Sequence, residues 1–311
     1  MTRPLRFAVT LPQIKRTWQE ARDAALELEE LGYDALFVCD HLYGVPNPTL
    51  PIFEAWTELA AVGALTRRVE LGTLVTPPFF RNPAVLAKQV STLDHITGGR
   101  VIVGLGGGWF APEFENLGLP FPPLGERLRA LEETLVALRS LFAEARTTFA
   151  GRHVHLREAI HEPKPLRRPP ILVGGGGERV TLRIAARHAD IWNNLAIHQG
   201  ALARKVEALR RHCEAVGRPF EEIEISQQCT VVIAEDEAAS RAALEKAQRI
   251  FGGHLGSALE EHGIWGPPER VIERIEAHRA LGCTGFMIEF FGRDIRVPAR
   301  LFAEKVMPAF R

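Results

Sequence analysis

Short apolar runs alternate along this chain with longer stretches whose apolar residues recur every three or four positions. Leu5 to Leu11 is the first run, closed by Pro12, and it reads as a buried strand. Thr17 and Glu20 then make a capping box. Ala21, Ala24, Leu28 and Leu31 follow on one helical face, and Gly32 stops the helix as a C′ glycine. The same rhythm predicts further strands at Ala35 to Cys39, Val69 to Val75, Arg100 to Leu105, Ile171 to Val173, Asp190 to Leu195, Ile223 to Ala234 and Gly285 to Phe290. Helices are predicted at about Phe53 to Leu65, Pro83 to Ile96, Leu124 to Phe142, Glu178 to Ala189, Gly200 to Val216, Asp236 to Ile250, Pro267 to Leu281 and Ala299 to Ala309.

Two stretches break the rhythm. Residues 143–168 read as an insertion before the fifth strand, with a small hairpin around Phe149, His153, Val154 and His155. Residues 251–266 contain glycines and no clear period. Both are expected to shape a substrate pocket. Strands that alternate with helices imply parallel pairing and right-handed crossovers. Eight such units in 311 residues point to a closed (β/α)8 TIM barrel, one domain over 1–311 with its insertion at about 143–168. An open doubly wound sheet is the runner-up, because it too places a glycine-rich loop after a strand. Its fingerprint belongs after the first strand, whereas the glycine run here lies mid-chain.

Composition narrows the function without naming it. Lys plus Arg equals Asp plus Glu at 38 each, so no excess of charge points to nucleic acid or an anionic membrane. No apolar stretch is long enough to span a bilayer, and the N-terminus carries no signal-peptide core. Cys39, Cys213, Cys229 and Cys283 form no C-x-x-C pair and read as reduced residues of a cytoplasmic protein.

The strongest chemical signal is Pro169 to Glu178, a buried strand that runs into Gly174, Gly175, Gly176 and Gly177 and then a helix. Glycines leave the backbone open to a ligand and permit positive φ angles that turn amides inward. The helix N-terminus adds its dipole, so the stretch reads as a phosphate seat, with a plain tight turn as the alternative. In a barrel the active face is the C-terminal end of the strands. Gln13, Asp40 and His41, Val75 and Thr76, Gly106 to Trp109, Gly174 to Glu178, Asn193 and Asn194, Gln227 and Gln228, and Glu289 lie there. Asp40 and His41 are adjacent, so they point to opposite sides of a strand. No nucleophile elbow is present, and His153, His155 and His161 lie in the insertion without a metal-ligand spacing. A mouth with few acids and bases but much glycine suits a bound redox cofactor.

Several strings in order resemble the bacterial luciferase-like family of flavin- and deazaflavin-dependent oxidoreductases. They include Gly32 to His41, Leu71 to Pro77, Asn82 to Lys88, Leu93 to Arg100, Gly104 to Trp109, Phe121 to Arg127, Pro170 to Gly177 and Ala189 to Asn193. The resemblance implies a TIM barrel with an insertion before strand five. It is nearest to the branch that uses coenzyme F420, with FMN as the alternative cofactor. It implies that Asp40 and His41 flank the ring and that Leu74-Val75 forms a non-proline cis peptide behind it. It further implies that Gly106, Gly107 and Gly108 let the tail pass, and that Gly174 to Gly177 and Glu178 hold its phosphate. Lys88 is either a tail contact or a surface lysine. The chain departs from the family pattern at Pro112 and Val180, where relatives carry polar residues.

The implied reaction is hydride transfer between the deazaflavin C5 and a small organic substrate. His41 is the candidate acid/base, or else only a hydrogen-bonding partner of the ring. Glu289 is a second candidate, or a partner for an arginine. Trp109, Phe79 and Phe80 are candidates for an apolar lid. An FMN-dependent monooxygenase and a non-catalytic cofactor-binding relative are the competing readings. The family resemblance also implies a homodimer formed through the second and third helices.

Overall fold

The computed structural model describes residues 3–251 and 258–311. Its elements begin with β1 (Arg6–Thr10), α1 (Trp18–Glu30), β2 (Ala35–Val38), α2 (Ala55–Leu65), β3 (Glu70–Thr73) and α3 (Pro83–Thr97). They continue with β4 (Val101–Gly106), a short α4 (Ala111–Asn116), α5 (Leu124–Ala143) and the strands β5 (Thr147–Ala150) and β6 (His155–Ala159). Next come β7 (Ile171–Gly174), α6 (Thr181–His188), β8 (Ile191–Asn194), α7 (Leu202–Val216), β9 (Glu224–Ile233) and α8 (Glu237–Phe251). The chain ends with α9 (Leu259–His262), β10 (Ile264–Gly266), α10 (Pro268–Ala280), β11 (Gly285–Phe290) and α11 (Arg296–Lys305).

β1, β2, β3, β4, β7, β8, β9 and β11 pair in that order, and β11 returns to β1. Every pairing in this ring is parallel, with Phe7 beside Phe286 and Ile191 beside Glu224 at the closing seams. The eight predicted strands are therefore the eight staves of a closed TIM barrel. Alternation sorts their side chains into two cores. Ala8, Phe37, Leu74, Ile102, Leu172 and Met287 fill the barrel interior. Their neighbours Phe7, Leu36, Val103, Val173, Trp192 and Phe286 face outward into the layer of helices. Burial on both sides explains why these strands read as unbroken apolar runs.

Local signals hold where they were read. Thr17 and Glu20 form the capping box of α1, and Gly32 follows that helix at φ +87°. β3 and β4 approach so closely that a Cβ at Gly104 would lie 1.8 Å from the carbonyl oxygen of Thr73.

Three differences have physical causes. First, α6 begins at Thr181 rather than Glu178, and its N-cap Val180 has no side chain able to accept a bond. The carbonyl of Gly177 bonds instead to the amide of Leu182, a wider step than a helical turn. Second, β10 was absent from the prediction. It is three residues long, too short to carry a period, and it pairs with Val231 to Ile233 at the end of the ten-residue β9. Third, the loop after β4 contains α4, which starts with a proline in its first turn.

The insertion does form a hairpin, β5 with β6. It lies against the outer helices. Ser91 of α3 bonds His161 at 2.7 Å, and Glu133 of α5 accepts from the amides of Arg152, His153 and Val154. Only the hairpin tip reaches the loop after β3, where the His153 ring meets Phe79. Of the irregular stretch 251–266, residues 252–257 lie outside the described residues; α9 and β10 occupy the rest.

Candidate functional site

Chain direction places the ends of β2, β3, β4, β7, β8, β9 and β11 around one mouth. Past β2, Cys39 donates its amide to the side-chain oxygen of Gln13 at 2.6 Å. Asp40 and His41 then turn opposite ways, as alternation requires. Asp40 turns toward the outer layer, against Arg81 and the start of α2, and is 2% exposed. Its carboxylate accepts from the hydroxyl of Thr76 at 2.6 Å and from two nitrogens of Arg81, which also binds Glu54. Burial lifts the Asp40 carboxyl above its ordinary value, against the pull of Arg81.

His41 faces the mouth. Its Nδ1 lies 2.9 Å from Oε1 of Glu113, whose other oxygen accepts the amide of Leu42 at 3.0 Å. An ionised carboxylate only accepts, so Nδ1–H donates and Nε2 is left for a ligand. Glu113 sits on α4 and is 1% exposed. The Trp109 ring stands edge-on to His41, with centroids 5.9 Å apart.

Three strand ends close around Val75. The Leu74-Val75 peptide is cis. A Cβ at Gly106 would lie 2.4 Å from Val75 Cγ2, and one at Gly174 would lie 2.9 Å from its Cγ1. Gly107 and Gly108 continue the same wall, with Gly108 at φ +70°. Gly175 has φ +138°, and Gly176 and Gly177 follow it toward α6. The Glu178 carboxylate pairs with Arg204 at 3.0 Å and Lys205 at 3.6 Å.

The top layer of the barrel interior is polar. Strand alternation puts Thr10, Asn193, Gln228, Thr230 and Glu289 on the same inward side as the apolar interior residues below them. Buried atoms Thr10 Oγ1, Asn193 Nδ2 and Thr230 Oγ1 have no partner among the described residues. Glu289 accepts from Gln228 at 2.7 Å, and burial raises its carboxyl above the ordinary value. Its partner is thus an amide where the sequence reading offered an arginine.

Other expected residues separate. Phe80 packs at a tilt on Phe114 with centroids 4.7 Å apart, and Phe79 meets His153, so of the three aromatic candidates only Trp109 stands beside His41. Lys88 bonds the carbonyl of Glu162 on the outer surface. His153 pairs with Glu126, His161 with Ser91, and His155 is exposed. Among the described residues no group of three or more His, Cys, Asp or Glu could hold a metal.

Four residues around the candidate site carry no role that the sequence alone suggests. Glu113 lay in a stretch read as loose, although a proline followed by a glutamate is a signal of a helix start. Arg81 lies 41 positions from the Asp40 it binds, and nothing local links the two. Lys205 read only as a helical residue. Arg127 is 8% exposed, lies 3.9 Å over the Phe121 ring, and has two buried guanidinium nitrogens with no partner among the described residues. A buried guanidinium without an anion is an open place for one.

The family model for luciferase-like monooxygenases matches residues 4–259. An F420-dependent glucose-6-phosphate dehydrogenase of Microbacterium testaceum (strain StLB037) is 28% identical over 338 residues, covering 100% of this chain and 99% of that protein. An FMNH2-dependent dimethylsulfone monooxygenase of Pseudomonas putida is also 28% identical, covering 81% of this chain and 79% of its own. An F420-dependent secondary alcohol dehydrogenase, solved with an F420-acetone adduct, has the same fold. Its TM-score is 0.87 at 22% identity, over 99% of this chain and 100% of that one.

Proposed function

Since the chain belongs to the luciferase-like monooxygenase family, we propose that it is an F420-dependent oxidoreductase acting on a small organic substrate. One observation carries this reading. An acid/base pair, His41 with Glu113, faces a mouth that Gly106 to Gly108 and Gly174 to Gly177 wall on one side. The residues present fit a large planar cofactor with an anionic tail. Side chains at Gly106 and Gly174 would collide with Val75, so this wall stays flat. The unpartnered Thr10, Asn193 and Thr230 atoms offer hydrogen bonds to a heteroaromatic ring. Asp40 and His41 would flank that ring, Leu74 and Val75 would back it, and Gly174 to Glu178 with Arg127 would take the tail.

When bound, the deazaflavin supplies a two-electron carrier that gives or takes a hydride at C5. His41 moves a proton at Nε2 to or from the substrate oxygen, and Glu113 fixes the orientation of its ring. Thr76 and Arg81 hold Asp40, so the strand end that presents His41 keeps its place. The Trp109 ring stands edge-on beside His41 at the rim of the mouth. FMN is the second reading, because a relative of equal identity is named for it.

The chain works as one barrel domain. A homodimer through α2 and α3 is part of the proposal. A groove of about 680 Å³ lies between them and the insertion, flanked by Val85 and Ile160 at 54% and 62% exposure. No helix among the described residues is long and apolar enough to cross a membrane. Four free cysteines fit a reducing, cytoplasmic setting.

Titration with F420 and with FMN tests the reading. The expected result is quenching of F420 fluorescence and no yellow flavin complex. In assays of F420 reduction with alcohols and sugar phosphates, His41→Ala should lose about 100-fold or more in kcat at saturating cofactor. Tight FMN binding without F420 binding would select the monooxygenase; an active His41→Ala would remove the acid/base role.

A further inference from the structure

Four consecutive carbonyls of the turn after β7 are bonded, three of them by side chains from β8 and α7. The Gly175 carbonyl accepts the indole N–H of Trp192 at 2.8 Å. The Gly176 carbonyl accepts from Nζ of Lys205. The Gly177 carbonyl accepts the amide of Leu182 at 3.0 Å, and the Glu178 carbonyl accepts from Nε2 of His212 at 2.7 Å. A trans peptide sets its C=O and its N–H in opposite directions. The bond from Trp192 therefore turns the Gly176 amide away from β8. The bonds from Lys205 and His212 turn the amides of Gly177 and Arg179 away from α7. None of the amides of Gly176, Gly177, Glu178 or Arg179 bonds an acceptor among the described residues.

The far side of the turn is closed. A Cβ at Gly176 would lie 2.5 Å from the His198 ring. Lys205 is 4% exposed, which is rare for a lysine, and it shares the Glu178 carboxylate with Arg204. Two cations against one carboxylate leave a net positive charge behind the amides. Successive amides on one side, with positive charge on the other, make a seat for an oxyanion.

We propose that Lys205, with Trp192 and His212, is a positioning residue that holds these carbonyls so that the freed amides bind a phosphate oxyanion on the tail of F420. The inference rests on the F420 reading above and adds to it the residues that aim the seat. Lys205 touches the turn, not the ligand. Its loss therefore lowers affinity for the phosphate-bearing tail and spares the ring.

The test compares two ligands on the full-length protein: F420, and the same deazaflavin chromophore lacking the phosphate-bearing tail. Lys205→Met should weaken F420 by about tenfold or more, since it removes a charge-assisted bond. It should leave affinity for the tail-less chromophore unchanged. Lys205→Arg should restore most of the F420 affinity. Trp192→Phe removes the indole N–H together with part of a fully buried ring; a loss confined to F420 and absent for the tail-less chromophore is expected there too, which keeps the test open if Lys205→Met does not fold. Equal losses for the two ligands, or no loss for either, overturn the proposal. An unchanged F420 affinity with weaker binding of a sugar phosphate assigns the oxyanion to a substrate and also overturns it. A wild-type protein that binds neither chromophore sinks the F420 reading itself, and this inference with it.

Discussion

Glu58 illustrates how one side chain is set by what surrounds it. It projects from α2 into the protein and is 4% exposed. Gln13 donates to its Oε2 at 3.1 Å, while Oε1 has no partner among the described residues. Burial pushes its carboxyl up to about 7 from an ordinary 4.5, against the weaker pull of Gln13. The native state therefore holds a proton that the unfolded chain has already lost between these two values. Stability falls as pH rises from about 4.5 to about 7 and is level beyond, by at most about 3 kcal/mol. Glu58→Gln should flatten this slope, so urea unfolding should find the variant gaining on the wild type between pH 5 and pH 8. A difference that does not change with pH would remove the buried-acid account. At the same scale, Asp40 and His41 were legible as a pair with opposed directions, because that follows from backbone alternation. Arg81 and Glu113 were not, because each is brought to its partner by a loop.

Between elements, the tightest constraint is the contact of β3 with β4. Thr73 bonds the Gly104 carbonyl through its hydroxyl, and its own carbonyl lies where a Cβ at Gly104 would go. Gly104→Ala must push two backbones apart and should lose about 3 kcal/mol or more, or yield no folded protein. Gly125 in the first turn of α5 has nothing within 4 Å of its would-be Cβ. Gly125→Ala should gain about 0.5 kcal/mol by restricting the unfolded chain. Thermal melts of the two variants test the pair, and shifts of the same sign would contradict it. The elements themselves were readable: the capping box of α1 and the apolar stripe of α5 appear where the periodicity put them. The start of α6 was not, since glycines carry no side-chain preference and Trp192, Lys205 and His212 decide where their carbonyls point.

At the scale of the whole molecule, the mouth and the groove between α2 and α3 are separate surfaces. The dimer reading is therefore testable without disturbing the site. Light scattering should give twice the monomer mass for the wild type. Val85→Glu combined with Ile96→Glu should give a monomer, because each would bury an unpaired charge. F420 affinity should stay within about twofold, since neither residue reaches the mouth. A wild type that is monomeric at micromolar concentration would remove this part of the proposal.

Some properties of this protein follow from the order of its residues alone. Eight strand-helix units, right-handed crossovers and double-sided burial lead to a closed barrel, because each depends on local period and backbone chirality. The same holds for the strand ends that carry Asp40, His41, Val75 and the two glycine walls. Other properties exist only once the barrel has closed. Closure sets Arg81 against Asp40 and Glu113 against His41, and it inserts Val75 between Gly106 and Gly174. It also brings Lys205 of α7 beneath the carbonyl of Gly176, 29 residues earlier in the chain. These contacts join residues that no local pattern relates, and the seat itself depends on which way four carbonyls are held.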